Sequence, residues 1–105
     1  MRVWLYARLS NDDDPAQNSL QNQQEICRTF AEKKDWTIVG SSTDDNISGM
    51  NFSRCGLDML TAAVQVKQVD AVLVKDLSRL GRHRTQTALF IDFLRQQQVR
   101  VISVT

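Results

Sequence analysis

Three short stretches of the chain set arginine beside serine: Arg8-Leu9-Ser10, Ser53-Arg54, and Ser78-Arg79 with Arg82 shortly after. A serine hydroxyl is a weak nucleophile at neutral pH, and a phosphodiester is an anion that repels attack. A reaction between the two therefore needs fixed positive charge nearby. Arginine supplies it, because its planar guanidinium grips two phosphate oxygens at once and stays ionised away from water, whereas lysine is a point charge that can lose its proton. In phosphoryl transfer the transition-state charge spreads over the equatorial oxygens, and arginines aimed at them are worth factors of about 10³ to 10⁵ in rate. The residue types thus fit phosphoryl transfer through a covalent phosphoserine. A single loop arginine is ordinarily a solvated charge, and Ser10 by itself would do no more than cap a turn. The set gains meaning only if the fold gathers it.

The elements that would gather it follow from the hydrophobic pattern. Residues Arg2 to Ala7 are β-branched, aromatic and apolar without polar alternation, as in a strand buried on both faces. The polar segment Asn11 to Asn18 contains Pro15 and precedes Ser19, a good helix cap, and Leu20, Cys27, Phe30 and Ala31 then recur at helical spacing. With Lys33 and Lys34 in the last turn, the pattern predicts a helix over about 19 to 34. Trp36 to Gly40 reads as a second strand and Ser41 to Ser53 as a long polar loop. Ser53 can cap a second helix, carrying Leu57, Leu60, Ala63 and Val64 and ending near Val66. Val69 to Val74 is a third strand, Lys75 to about Arg84 a loop, the stretch with Leu89, Phe90, Phe93 and Leu94 a third helix, and Val99 to Val104 a fourth strand.

Strands alternating with helices specify an α/β fold, a mainly parallel sheet with right-handed crossovers and helices on both faces. In such sheets the ligand site lies beyond the carboxyl ends of the strands. The first strand delivers Arg8 and Ser10 there, the loop after the second delivers Asp44, Asp45, Ser48 and Arg54, and the third delivers Lys75, Ser78, Arg79 and Arg82. Three separate loops bring arginine to one end of the sheet.

Composition agrees with a single globular domain: 105 residues, 42% hydrophobic, 24% charged, four Gly and one Pro. No apolar run approaches the length of a spanning helix and no leader precedes the first strand, so a cytoplasmic protein is expected, with no membrane partner. Cys27, Cys55 and the single His83 cannot assemble a zinc set, and both cysteines are read as buried or incidental thiols. Trp4 and Trp36 are read as core anchors within strands. The net charge of +1 names no partner, but its distribution is uneven: residues 1 to 53 hold five basic against eight acidic groups, and 54 to 105 hold eight against four. Any DNA contact is then expected at one place, around Lys75, Arg79, Arg82 and Arg84, or with help from a further segment.

Tyr6-Ala7-Arg8-Leu9-Ser10, Arg54 followed by Gly56-Leu57, and Leu77-Ser78-Arg79-Leu80-Gly81-Arg82, in that order over nearly the whole chain, resemble the catalytic domain of the serine recombinases. Gln23, in Ser19-Leu20-Gln21-Asn22-Gln23, falls where that family has an active-site glutamine. The resemblance implies a resolvase-like, three-layer α/β fold in which Ser10 attacks the backbone of double-stranded DNA, forming a 5′-phosphoserine and freeing a 3′-hydroxyl. It assigns Arg8, Arg79 and Arg82 to the scissile phosphate, Arg54 and Gln23 to the rest of the phosphate pocket, and Tyr6 and Ser78 to accessory places. It implies no metal or other cofactor, and a homodimer that pairs into a synaptic tetramer. Small resolvases and invertases carry aspartate where this chain has Ser78, and Lys75-Asp76-Leu77-Ser78-Arg79 is more similar to the large serine recombinases. A role built on that aspartate does not carry over. Because the chain stops at the end of a strand, a domain truncated before the family's long helix and DNA-recognition domains is expected.

Two other classes compete with this reading. Asp12, Asp13 and Asp14 suggest a Mg²⁺-dependent receiver or phosphatase site, but in such sites the key aspartate stands at the strand end, where this chain has Arg8 and Ser10. A catalytically silent interaction module of the same fold is the other. His83 borders the arginine loop and is a candidate for contact with phosphate or for general base.

Overall fold

The computed structural model describes residues 1–9, 19–45, 55–80 and 84–104, with the side chains of Asp45, Cys55, Ser78, Leu80 and residues 84–87 excepted. Along the chain run β1 (Arg2–Leu9), α1 (Leu20–Lys33), β2 (Thr37–Asp45), α2 (Cys55–Gln65), β3 (Ala71–Val74), a 3₁₀ helix (Leu77–Leu80), α3 (Arg84–Gln96) and β4 (Arg100–Ser103). Among the described residues the strands form one sheet in the order β2-β1-β3-β4, every pair parallel.

Side-chain alternation along β1 divides the core in two. Val3 and Leu5 face α1 and pack with Cys27, Ala31, Ala71 and Leu73. Trp4 and Tyr6 face the other way, into a cluster with Leu57, Leu60 and Val64 of α2 and Leu94 of α3. The sheet therefore lies between α1 on one side and α2 and α3 on the other. This is the expected three-layer α/β arrangement. Cys27 is a core thiol, and burial pushes its pKa up to about 11, which leaves it neutral and unreactive at physiological pH.

Helix starts and stops have local causes. Ser19 caps α1, its hydroxyl accepting from the Asn22 amide at 3.1 Å. Each helix ends on a non-glycine residue in the left-handed region: Asp35, Lys67 and Gln98, with φ of 61°, 60° and 62°. In each case the following amide reaches back to the last turn, Trp36 N–H to Ala31 at 2.9 Å, Gln68 N–H to Ala63 at 3.1 Å and Val99 N–H to Leu94 at 2.8 Å. These bonds satisfy carbonyls that the helix leaves open and offset the strain of the left-handed residue.

The structure corrects several boundaries. β1 runs two residues past Ala7, and β3 and β4 are slightly shorter than expected. Trp36 stands just before β2 rather than in it, edge-on to Phe30 with ring centroids 5.8 Å apart. The loop after β3 contains a 3₁₀ turn. The largest correction is β2, which continues through Ser41–Asp45, expected as loop. That half pairs with β1 from Leu5↔Ser41 to Leu9↔Asp45, after a register shift at Val3/Trp4 that leaves Val39 unmatched. As an edge strand β2 is mostly exposed, and its buried positions there are the polar Ser42 and Asp44.

Candidate active site

Among the described residues the buried polar side chains are Arg8, Gln23, Ser42, Asp44 and Arg79. All belong to the carboxyl-terminal half of β1 or β2, or to segments packed against those ends. Buried charge is costly unless paired or used, so this clustering locates a site independently of any motif.

Its position follows from topology. The chain leaves β1 toward β2 on one side and returns to β3 and β4 on the other, so the order β2-β1-β3-β4 reverses direction between β1 and β3. Crevices open at such switch points. β3 pairs with β1 only from Val3 to Leu5. The Asp70 amide donates to the Arg2 carbonyl at 2.8 Å, which fixes the main-chain groups of even-numbered β1 residues toward β3. By Arg8, β3 has ended, and side chains take its place. The Gln23 carboxamide accepts from the Arg8 N–H at 3.2 Å and donates to the Arg8 carbonyl at 2.9 Å, and Arg79 Nη1 donates to the same carbonyl at 3.0 Å. The main chain two residues before Ser10 is held from both the first helix and the 3₁₀ turn.

Arg8 projects from the same face of β1 as Trp4 and Tyr6. It is 7% exposed and Arg79 5%. Asp76 approaches Arg79 at 3.5 Å across the 3₁₀ turn, where residues three apart eclipse one another. Nε of each arginine has no acceptor among the described residues, although both side chains make other contacts. Two guanidiniums thus sit nearly dry at a strand end, an arrangement suited to an anion with several oxygens.

A second network stands beside the first. Asp44, the register partner of Arg8, accepts from the amides of Gly56 at 2.8 Å and Leu57 at 3.0 Å and from the Tyr6 hydroxyl at 2.7 Å. It caps α2 from a neighbouring strand. Ser42 accepts from the Trp4 indole at 2.9 Å and donates to the Gly56 carbonyl at 2.7 Å. A Cβ on Gly56 would lie 2.5 Å from the Thr43 carbonyl oxygen, so only glycine allows this approach.

Of the residues singled out in the sequence, the structure brings together Arg8, Gln23 and Arg79 and places Tyr6 in the adjoining network. Ser10, Arg54, Arg82 and His83, with Asp12 to Asp14, Ser48 and Ser53, lie outside the described residues, as does the side chain of Ser78. Sequence reasoning missed Ser42, saw Asp44 only as a loop residue, and gave Asp76 no partner. The Asp76-x-x-Arg79 spacing could have signalled that pair. Among the described residues no three His, Cys, Asp or Glu side chains gather as a metal site, and no helix is long and apolar enough to cross a membrane.

A family model described as the resolvase N-terminal domain matches residues 3–105. Among solved structures, the chain is similar to the N-terminal catalytic domain of TP901-1 integrase, with a TM-score of 0.84 at 27% identity, over 99% of this chain and 77% of that one. It is also similar to the C-terminal catalytic domain of ISC1926 TnpA, an IS607-like serine recombinase, with a TM-score of 0.82 at 26% identity, over 100% of this chain and 70% of that one. A resolvase-family site-specific recombinase from Streptococcus pneumoniae shares the fold, with a TM-score of 0.81 at 24% identity, over 99% and 72% of the two chains.

Proposed function

Because the chain belongs to the resolvase N-terminal domain family, we propose that it is the catalytic domain of a large serine recombinase, cutting and rejoining double-stranded DNA through Ser10. The hydroxyl oxygen of Ser10 forms a bond to the scissile phosphorus as the bond from phosphorus to the 3′ oxygen breaks. The serine proton is lost and the departing 3′ oxygen takes one up. The energy of the broken bond is conserved in the 5′-phosphoserine, so a new 3′-hydroxyl can reverse the reaction without ATP.

The observation that carries this reading is the junction at Arg8. Two nearly buried guanidiniums flank a strand end whose main chain is clamped by Gln23 and Arg79, immediately ahead of the serine. Arg8 and Arg79, joined by Arg82 and Arg54, neutralise the phosphate and the charge that develops in the transition state. The Gln23 carboxamide bonds to both main-chain groups of Arg8 and so positions the strand end at the phosphate pocket. Tyr6 acts at one further remove, through Asp44, and Ser78 lies beside Arg79 in sequence. The arginines provide the charge stabilisation that other phosphoryl-transfer sites draw from a metal.

Strand exchange requires two cut duplexes held together, so the working unit is a homodimer that pairs into a tetramer, acting in the cytoplasm. Residues 1–105 form the catalytic part of a longer recombinase whose further segments supply the long helix and DNA recognition.

The decisive experiment replaces the nucleophile in that recombinase. Ser10→Ala abolishes the covalent protein–DNA adduct while site binding persists, because the hydroxyl makes a bond in the reaction and contributes little to docking. An adduct of normal yield from the alanine variant, or a link mapped to another residue, overturns the assignment.

A further inference from the structure

We propose that Asp76 is a positioning residue that sets the orientation of the Arg79 guanidinium at the carboxyl end of β1. The inference deepens the proposed function, since it rests on Arg79 as a phosphate ligand. Asp76 stands immediately before the 3₁₀ helix Leu77–Leu80 and holds Arg79 through main chain and side chain alike. Its carbonyl accepts from the Arg79 N–H at 3.2 Å, and its carboxylate lies 3.5 Å from Nη2. With three residues per turn, side chains three apart lie one above the other, so the tightness of this turn lays the carboxylate against the arginine. An α-helical turn, with more residues in it, would swing the two apart by about 60°.

Two features make the pair an orienting device. First, the guanidinium is gripped from two sides: Nη1 donates to the Arg8 carbonyl at 3.0 Å, while Nη2 faces Asp76. A long side chain held at both η nitrogens loses the freedom to turn about its last bonds, so its plane is fixed before any anion arrives. The Arg8 carbonyl also accepts from Gln23 at 2.9 Å, so the inner anchor is itself held. Second, burial is lopsided, with the Arg79 side chain 5% exposed and that of Asp76 34%. The carboxylate keeps part of its hydration, so pairing costs it little, whereas the nearly dry guanidinium feels its charge with less screening. At 3.5 Å the contact acts more through charge than as a hydrogen bond. A partly hydrated carboxylate beside a site for an anion also opposes docking of that anion while it aims the arginine. Removing its charge therefore slows chemistry without weakening binding, a combination that damage to the fold does not produce.

The test measures covalent adduct formation and site binding side by side in the recombinase carrying this domain. Asp76→Asn, equal in size and uncharged, slows adduct formation about tenfold while site binding stays level or tightens by up to about threefold. In the Arg79→Ala background the same substitution changes the residual rate less than about twofold, because its route of action is gone. Where Arg79→Ala leaves no measurable rate, the split between rate and binding decides. Asp76→Glu keeps the charge but carries it one methylene further, and slows adduct formation about threefold with the same dependence on Arg79. It decides the matter if Asp76→Asn does not fold. An Asp76→Asn protein that reacts at the wild-type rate or faster, or an effect that multiplies independently of Arg79, overturns this inference and leaves Ser10 chemistry in place. An Arg79→Ala protein that forms adduct at the wild-type rate removes Arg79 from the site and this inference with it. A wild-type protein that forms no serine adduct overturns the functional reading as well.

Discussion

Arg2 and Arg8 lie on one strand and one face of it, yet the fold treats them oppositely. At the amino end of β1, Arg2 is half exposed, and the Asp70 carboxylate accepts from its main-chain N–H at 2.8 Å and from Nε and Nη2 at 3.2 Å each. The Lys67 carbonyl takes a further bond from Nη2 at 3.1 Å. These hydrogen bonds hold the Asp70 carboxyl below the usual range and the Arg2 guanidinium above its own. At the carboxyl end Arg8 is buried beside a second buried arginine, and Asp44, its neighbour in register, is engaged by α2 and Tyr6. One end matches charge to charge in water, where the gain is small. The other buries two guanidiniums, one of them 3.5 Å from Asp76, where charge interactions are screened less. The difference is one of burial: one arginine is paired at the surface and the other is enclosed at the strand end.

Lysine at the buried end tests the contrast most severely. Arg8→Lys and Arg79→Lys keep the charge and lose the planar fork, so adduct formation falls by about 10² to 10³ while DNA binding and folding change little. A uniform loss of binding with unchanged chemistry would make these arginines docking contacts and erase the contrast.

Gln23→Leu probes the same end through the main chain. It removes both carboxamide bonds to Arg8 and leaves the buried N–H without its acceptor, which costs about 1 to 3 kcal/mol of stability in denaturant titration and slows adduct formation through the displaced strand end. Unchanged stability would show that the edge beyond β3 does not depend on this side chain.

Asp70→Asn gives the smallest effect. Cleavage is unaffected and the unfolding midpoint shifts only slightly, less still at high salt. Its pH dependence has a definite sign: a carboxyl whose pKa is lowered in the fold stabilises above its unfolded pKa, and this contribution is lost as pH falls through the lowered value. The gap between wild type and variant is thus present at neutral pH and closes in acid. A gap that widens on acidification would contradict the pairing.

What the sequence revealed of all this depended on where each side chain finds its partner. The α1 helix was legible because Ser19 and the apolar spacing from Leu20 to Ala31 are local, and β1 because a doubly buried strand is a continuous apolar run. The arginines were legible as residue types at strand ends. The second half of β2 was not, because its inward positions are Ser42 and Asp44. Their partners are 12 to 38 residues distant, and a hydrophobic pattern cannot register alternation between two kinds of polar residue. Gln23 carried a family resemblance, but its task of replacing the missing strand beside Arg8 depends on β3 ending early. Helix ends at Asp35, Lys67 and Gln98 carried no glycine to announce them.

The setting of Trp4 also gives the protein an optical handle. Its ring lies against Gly40, where a Cβ would come within 2.4 Å of an indole carbon, and its N–H bonds to the hydroxyl that in turn holds the Gly56 carbonyl. Trp36 packs on the opposite face of the sheet against Phe30. The two fluorophores therefore sample different layers, and Trp4 is the one joined through Ser42 to the start of α2.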